Sequence, residues 1–122
     1  MMSKQPQRIL CIGPSGEGRS AVIAELLNDR GHKACALGIG HRRAIKAASA
    51  LVDVVAVIDY PAELVPQAKR LLGADDAPIT VVPLGKDNRR KTRLTELKAQ
   101  ICEYLDKCDW ATDYSEGGPA DG

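Results

Sequence analysis

Four short apolar runs, each followed by a segment with helical periodicity, constrain this 122-residue chain more than any other feature. The runs are Arg8–Ile12, Lys33–Leu37, Val54–Ile58 and Ile79–Val82. The clearest of them, VVAVI, is apolar at every position and ends in Asp59. A strand with one wet face needs polar residues at alternate positions, so this run predicts a strand buried on both faces. Between the runs, Ser20–Arg30 carries Val22, Ile23, Leu26 and Leu27 on one helical face, with Gly31 where a C-terminal cap belongs. Arg42–Leu51 reads as a small-residue helix with Ile45, Ala48 and either Leu51 or Val52 inward. Pro61–Leu72 reads as a third helix, with Pro66 in its first turn or marking a later start, and Gly73 ending it. A last helix places Leu94, Leu97, Ile101, Tyr104 or Leu105, and Cys108 on one stripe. Strand followed by helix, four times over, predicts right-handed crossovers. The expected fold is therefore α/β: three layers, with a mostly parallel four-stranded sheet and helices on both faces.

Composition sets the size and texture of the core. The chain lacks Phe and is only 3% aromatic, so Ile, Leu, Val and Ala must fill the interior. The length suits one domain, placed at residues 8–108. Residues 1–7 are polar and read as a disordered N-terminus. Residues 109–122 (DWATDYSEGGPADG) read as an acidic, disordered tail, with Trp110 pinning the end of the last helix. The tail is also the place where a protein partner would dock. A net charge of +1 gives the whole molecule no strong attraction to nucleic acid or membrane. Cys11, Cys35, Cys102 and Cys108 form no C-x-x-C pair and read as small hydrophobes in a reducing compartment. With only His32 and His41 as further soft ligands, a zinc site is not expected. No signal peptide or membrane span is legible, which leads to the expectation of a cytoplasmic protein.

The chemistry is concentrated between the first run and the first helix. Gly13-Pro14-Ser15-Gly16-Glu17-Gly18-Arg19-Ser20 fits G-x-x-x-x-G-[K/R]-S. Glycines let the backbone turn so that successive N–H groups point inward around a phosphate. The following helix adds the positive end of its dipole at the same place. In such a loop a basic side chain reaches the outer phosphates and a hydroxyl ligates magnesium, roles that fall here to Arg19 and Ser20. Arginine keeps the charge of the usual lysine but is larger, planar and forked. Asp59, at the end of its strand, is the carboxylate an NTPase would use to hold magnesium through water. Lys86–Arg93 holds five basic residues after the fourth strand, and reads as a solvated loop and helix start, or as an added anion clamp or a patch for RNA. No aromatic residues interleave with these charges, so nucleic-acid binding is not expected.

Ile9–Leu27 (ILCIGPSGEGRSAVIAELL) resembles the strand, Walker A loop and helix of P-loop NTPases. Val54–Asp59 resembles their later hydrophobic strand. In Ile79–Asn88 (ITVVPLGKDN), Lys86 matches the lysine of the guanine-reading N-K-x-D motif. The IGPSG-x-G opening is similar to the compact GTPase-like family associated with ethanolamine and propanediol utilisation. This resemblance implies magnesium with ATP or GTP as cofactor, held by Gly13–Ser20, Lys86 and Asp59, and weak or absent hydrolysis. The chain also resembles the low-molecular-weight protein tyrosine phosphatases and the IIB domains of sugar phosphotransferase systems. Their phosphate loop likewise joins the first strand to the first helix and ends in Arg-Ser, as Arg19-Ser20 does here. Their nucleophilic cysteine stands at the position of Gly13, so this second resemblance implies a non-catalytic domain that binds a phosphorylated partner or oxyanion. A third expectation is a scaffold subunit acting through the tail or the basic stretch. Strand order separates the first two, because P-loop NTPases commonly insert a strand between the Walker A strand and its sequence neighbour.

Overall fold

The computed structural model describes residues 6–15, 18–59, 62–73, 78–83 and 94–111. Strands β1 (Arg8–Gly13), β2 (Lys33–Gly38), β3 (Val54–Ile58) and β4 (Ile79–Val82) alternate with helices α1 (Arg19–Asp29), α2 (Arg42–Ser49), α3 (Leu64–Leu71) and α4 (Leu94–Leu105). A short 3-10 turn, Asp109–Ala111, follows α4. The four strands form one all-parallel sheet in the order β2-β1-β3-β4. The expected α/β architecture is therefore present, and β1 lies between β2 and β3.

The chain moves from β1 to β2 in one direction and from β2 to β3 to β4 in the other, and the right-handed rule for parallel connections then assigns the helices to opposite faces. α1 packs on β1 and β2 and meets α4; α2 contacts β1, and α3 contacts β3. Leu10, Ile12, Val57, Val82, Ile101 and Leu105 are fully buried, so the aliphatic core runs through the sheet into α4. At about 25 cal/mol per Å² of apolar surface, burying each such side chain is worth about 1.5–3 kcal/mol, and strands covered on both faces gain it at nearly every position.

Local details follow from capping and periodicity. Gly31 has φ 94°, and the N–H groups of Gly31 and His32 donate to Asn28 O and Leu27 O at 3.0 and 3.1 Å. That pair of bonds is a Schellman closure, and it turns the chain from α1 into β2. Pro66 sits inside α3 at its third residue, where its missing N–H would have had no intrahelical acceptor. α2 ends at Ser49, so the helical spacing does not carry on to Leu51; Leu51 is 66% exposed and Val52 takes the inward side. Leu94, expected on the inner stripe of α4, is exposed because it begins the helix before the helix reaches the core. Ala111, beyond α4, is fully buried, and its carbonyl accepts a 3.1 Å bond from Arg30 Nη1. Residues 1–5, the helix start expected at Pro61, the basic stretch and residues 112–122 lie outside the described residues.

Candidate functional site

The sheet register brings the C-terminal ends of the strands into one row. Gly13 pairs with Gly38, Ile12 pairs with Val57, and Ile58 pairs with Val82. The chain leaves the row from Gly13 into the loop, with Pro14 and Ser15 exposed. At the junction with α1 stands Gly18, whose φ of 70° and ψ of −130° suit glycine. Gly18 O accepts the Val22 N–H at 3.0 Å and starts the helical ladder. The N-terminal N–H groups of α1, which lack intrahelical acceptors, thus sit at the end of the loop.

Ser20 is the most informative residue of the site. Its side chain is fully buried, and its hydroxyl is the buried side-chain polar atom without a hydrogen-bond partner among the described residues. Such an atom costs about 1–3 kcal/mol relative to a satisfied one. The hydroxyl lies close to Gly13: a Cβ added there would stand 2.8 Å from Ser20 Oγ and 2.9 Å from Ser20 Cβ. Glycine at position 13 is therefore what allows the first turn of α1 to close onto the end of β1.

A second glycine fixes the other side of the loop. A Cβ at Gly38 would fall 2.6–2.9 Å from the Cα, C and O atoms of Ser15. The loop backbone thus rests directly on the end of β2. Just beyond, Ile39 N–H donates to Gly13 O at 2.9 Å, and His41 N–H donates to Gly38 O at 2.9 Å. Nothing in the sequence around Gly38 links it to a loop more than twenty residues earlier.

Arg19 is half-buried at the first position of α1. Asp59 is half-buried one residue past β3, and its N–H donates to Val82 O at 3.1 Å. By register it stands level with Pro14, at the same edge as the loop. Gly16, Glu17 and Lys86 lie outside the described residues. The magnesium expectation can be tested on the donors present. Hard cations such as magnesium require several oxygen ligands in near-octahedral array. Among the described residues no group of three or more His, Cys, Asp or Glu could hold a metal ion. The same hypothetical Cβ at Gly13 that meets Ser20 Oγ also meets Ile58 Cδ1 at 3.5 Å, so the hydroxyl has an aliphatic neighbourhood. Ser20 and Asp59 would supply two oxygen donors, with phosphate and water completing the shell of a magnesium ion.

Cys11 cannot replace the thiolate missing at position 13. Burial within β1, reinforced by Cys35, pushes its thiol up to about 12. It is a neutral, inert core residue at neutral pH. The raised value has a consequence for stability. The unfolded chain releases this proton near 9.0, whereas the folded chain holds it to about 12. The stabilisation from the neutral thiol is thus complete below about pH 9 and is lost as pH rises toward 12. Tyr104, pushed up to about 12 by burial and by its bond with Cys108, acts in an overlapping window. Urea unfolding should show stability falling across that range, and more shallowly in Cys11→Ala. An equal slope in the variant would assign the loss elsewhere. Cys35, by contrast, is exposed on the edge strand β2.

No protein family, curated protein or solved structure matches this chain. Among the described residues, no helix is long and apolar enough to cross a membrane.

Proposed function

We propose that the chain binds a phosphate-type oxyanion in the Gly13–Ser20 loop, in the manner of a low-molecular-weight phosphatase-like domain without its nucleophile. The observation that carries this reading is the buried, unpartnered Ser20 hydroxyl at the start of α1. An anion drawn into the loop supplies the acceptor that this donor lacks, at the helix N-terminus where the backbone N–H groups have no intrahelical acceptor. Arg19, at the head of the same helix, adds positive charge. Strand order favours this member of the two resemblances, because β1 lies directly between β2 and β3 with no strand inserted. Gly13 supplies no thiol, and the protonated Cys11 supplies none either, so the reading is of binding without covalent catalysis.

The test is thermal unfolding with sodium phosphate or sulfate, with and without magnesium, beside a panel of ATP, ADP, GTP and GDP. At one hundred times its dissociation constant, a ligand adds about 2.7 kcal/mol of stability. For a domain of this size that is a rise of about 10 °C or more. The expected result is protection by simple oxyanions without magnesium. No shift with phosphate or sulfate at tens of millimolar would overturn the reading. The second reading, a nucleotide-binding P-loop protein with weak or absent hydrolysis, draws support from the position of Asp59 beside the loop, and magnesium-dependent, base-selective protection would put it first. Ser20→Ala separates site from fold by sign. Removing an unsatisfied buried hydroxyl should raise unliganded stability by about 1 kcal/mol. The same substitution should remove most of the phosphate-dependent rise, and a variant that keeps it in full would exclude Ser20 as a ligand.

A further inference from the structure

A cleft of about 450 Å³ lies between α2 and α3, and its described lining includes Arg42 and Lys46 from α2 and Gln67 and Arg70 from α3. Among the described residues that line it, three side chains are cationic and none is acidic. The ion pairs among the described residues, Arg8–Asp53, Arg30–Asp106 and Lys98–Glu25, use none of the three. Arg42 and Lys46 stand four residues apart, hence on one side of α2, and Gln67 and Arg70 stand three apart on one side of α3. Two helices therefore aim charge and an amide donor at one space. Ile39 lines the same cleft, and its N–H donates to Gly13 O at the base of the loop.

We infer that this cleft is a second anion site, and that it takes a small molecule carrying clustered phosphate groups. Three like charges around one cavity repel one another, and a multivalent anion relieves all three repulsions, whereas a monovalent one leaves most of them. Arginine forks on two elements match phosphate oxygens in a bidentate way. The volume is in the range of small-ligand pockets. The inference stands on the cleft's own residues, whether or not the loop binds phosphate.

The experiment is isothermal titration of the full chain with tripolyphosphate and, separately, with orthophosphate, at constant ionic strength and without magnesium. Arg42→Gln/Arg70→Gln should weaken tripolyphosphate by at least about ten-fold, the loss of one to two charge-assisted bonds. It should leave orthophosphate binding at the loop unchanged. Arg19→Ala should do the reverse. Lys33→Gln/Lys107→Gln removes equal charge from exposed sites elsewhere and should change neither. Arg42 and Arg70 are exposed, so the variant should keep the wild-type circular-dichroism melt. Unchanged tripolyphosphate affinity in the cleft variant, absence of tripolyphosphate binding in wild type, or equal weakening in the control variant would overturn the inference. Orthophosphate failing to bind wild type, with tripolyphosphate still lost in the cleft variant, would overturn the loop reading and leave the cleft standing.

Discussion

A Gly38→Ala variant is expected to lose phosphate binding and about 1–3 kcal/mol of stability, the usual cost of forcing an extra methyl into a packed site. The new Cβ would meet the Cα, C and O atoms of Ser15 at 2.6–2.9 Å. These are backbone atoms, so no rotamer change relieves the clash. Either β2 shifts at its end or the loop lifts away from it. β2 is held by six residue pairs with β1, ending at Gly13–Gly38 itself. The loop, with Pro14 and Ser15 exposed, is the softer partner and should move. An oxyanion cradle depends on several N–H groups converging on one point, and a shift on the order of 1 Å destroys that convergence. Phosphate titration of Gly38→Ala, beside its thermal melt, checks both halves. Full phosphate affinity in a folded variant would mean that Ser15 plays no part in shaping the site. Gly40→Ala is the matched control, since a Cβ there meets nothing within 4 Å.

This dependence also marks the limit of what the sequence could disclose. Short apolar runs alternating with periodic segments record local burial, so the four strands, the four helices and the parallel sheet were legible from them. The Gly13–Ser20 loop was legible because its residues are contiguous. Gly38, Arg42, Lys46 and Arg70 were not assigned a joint role, because only strand order and register bring their segments together. The strand order itself leaves no mark on periodicity: β3 would look equally apolar beside β1 or beside β2. Ser20 could be assigned a hydroxyl's usual role at such a position, but its isolation from any partner is a property of packing. Periodicity leaves the choice between Leu51 and Val52 open, and the end of α2 at Ser49 settles it, whereas periodicity places Leu94 inward although it opens α4 and is exposed.

Gly13 and Gly38 do different work in the site from the glycine that caps α1. Gly31 is used for its left-handed backbone, whereas Gly13 and Gly38 are used for the missing Cβ. At Gly13 the adjacent atoms belong to Ser20, a side chain. Position 13 therefore bears directly on the hydroxyl proposed to meet the anion. A substituent there would push that hydroxyl aside, so the absence of a side chain and the presence of Ser20 are one arrangement rather than two independent features.

Arg30→Ala should be the most destabilising of the charge-removing substitutions, with a loss of about 2–3 kcal/mol and a fall in melting temperature on the order of 10 °C. Its side chain is only 11% exposed, and its Nη2 stands 2.6 Å from Asp106 Oδ1. The same guanidinium donates to Cys102 O at 3.3 Å and to Ala111 O at 3.1 Å. One side chain from the end of α1 thereby fastens the end of α4 and the following 3-10 turn. Lys98 and Glu25 also join α4 to α1, at 3.7 Å, but their side chains are 35% and 58% exposed. An ion pair of that kind is worth at most about 1 kcal/mol, so Lys98→Ala should be close to neutral. Asp106 is 66% exposed and can return to water when Arg30 is lost, which keeps the penalty below that of a buried pair left half-made. The carbonyl of Ala111 loses its donor in a place where Ala111 itself is fully buried. Denaturant unfolding of both variants measures the difference. Phosphate titration of Arg30→Ala below its lowered transition completes the test, because Arg19 and Ser20 sit at the opposite end of α1. Affinity should hold while stability falls. Loss of both together would show that the anchoring of α4 supports the loop as well as the fold.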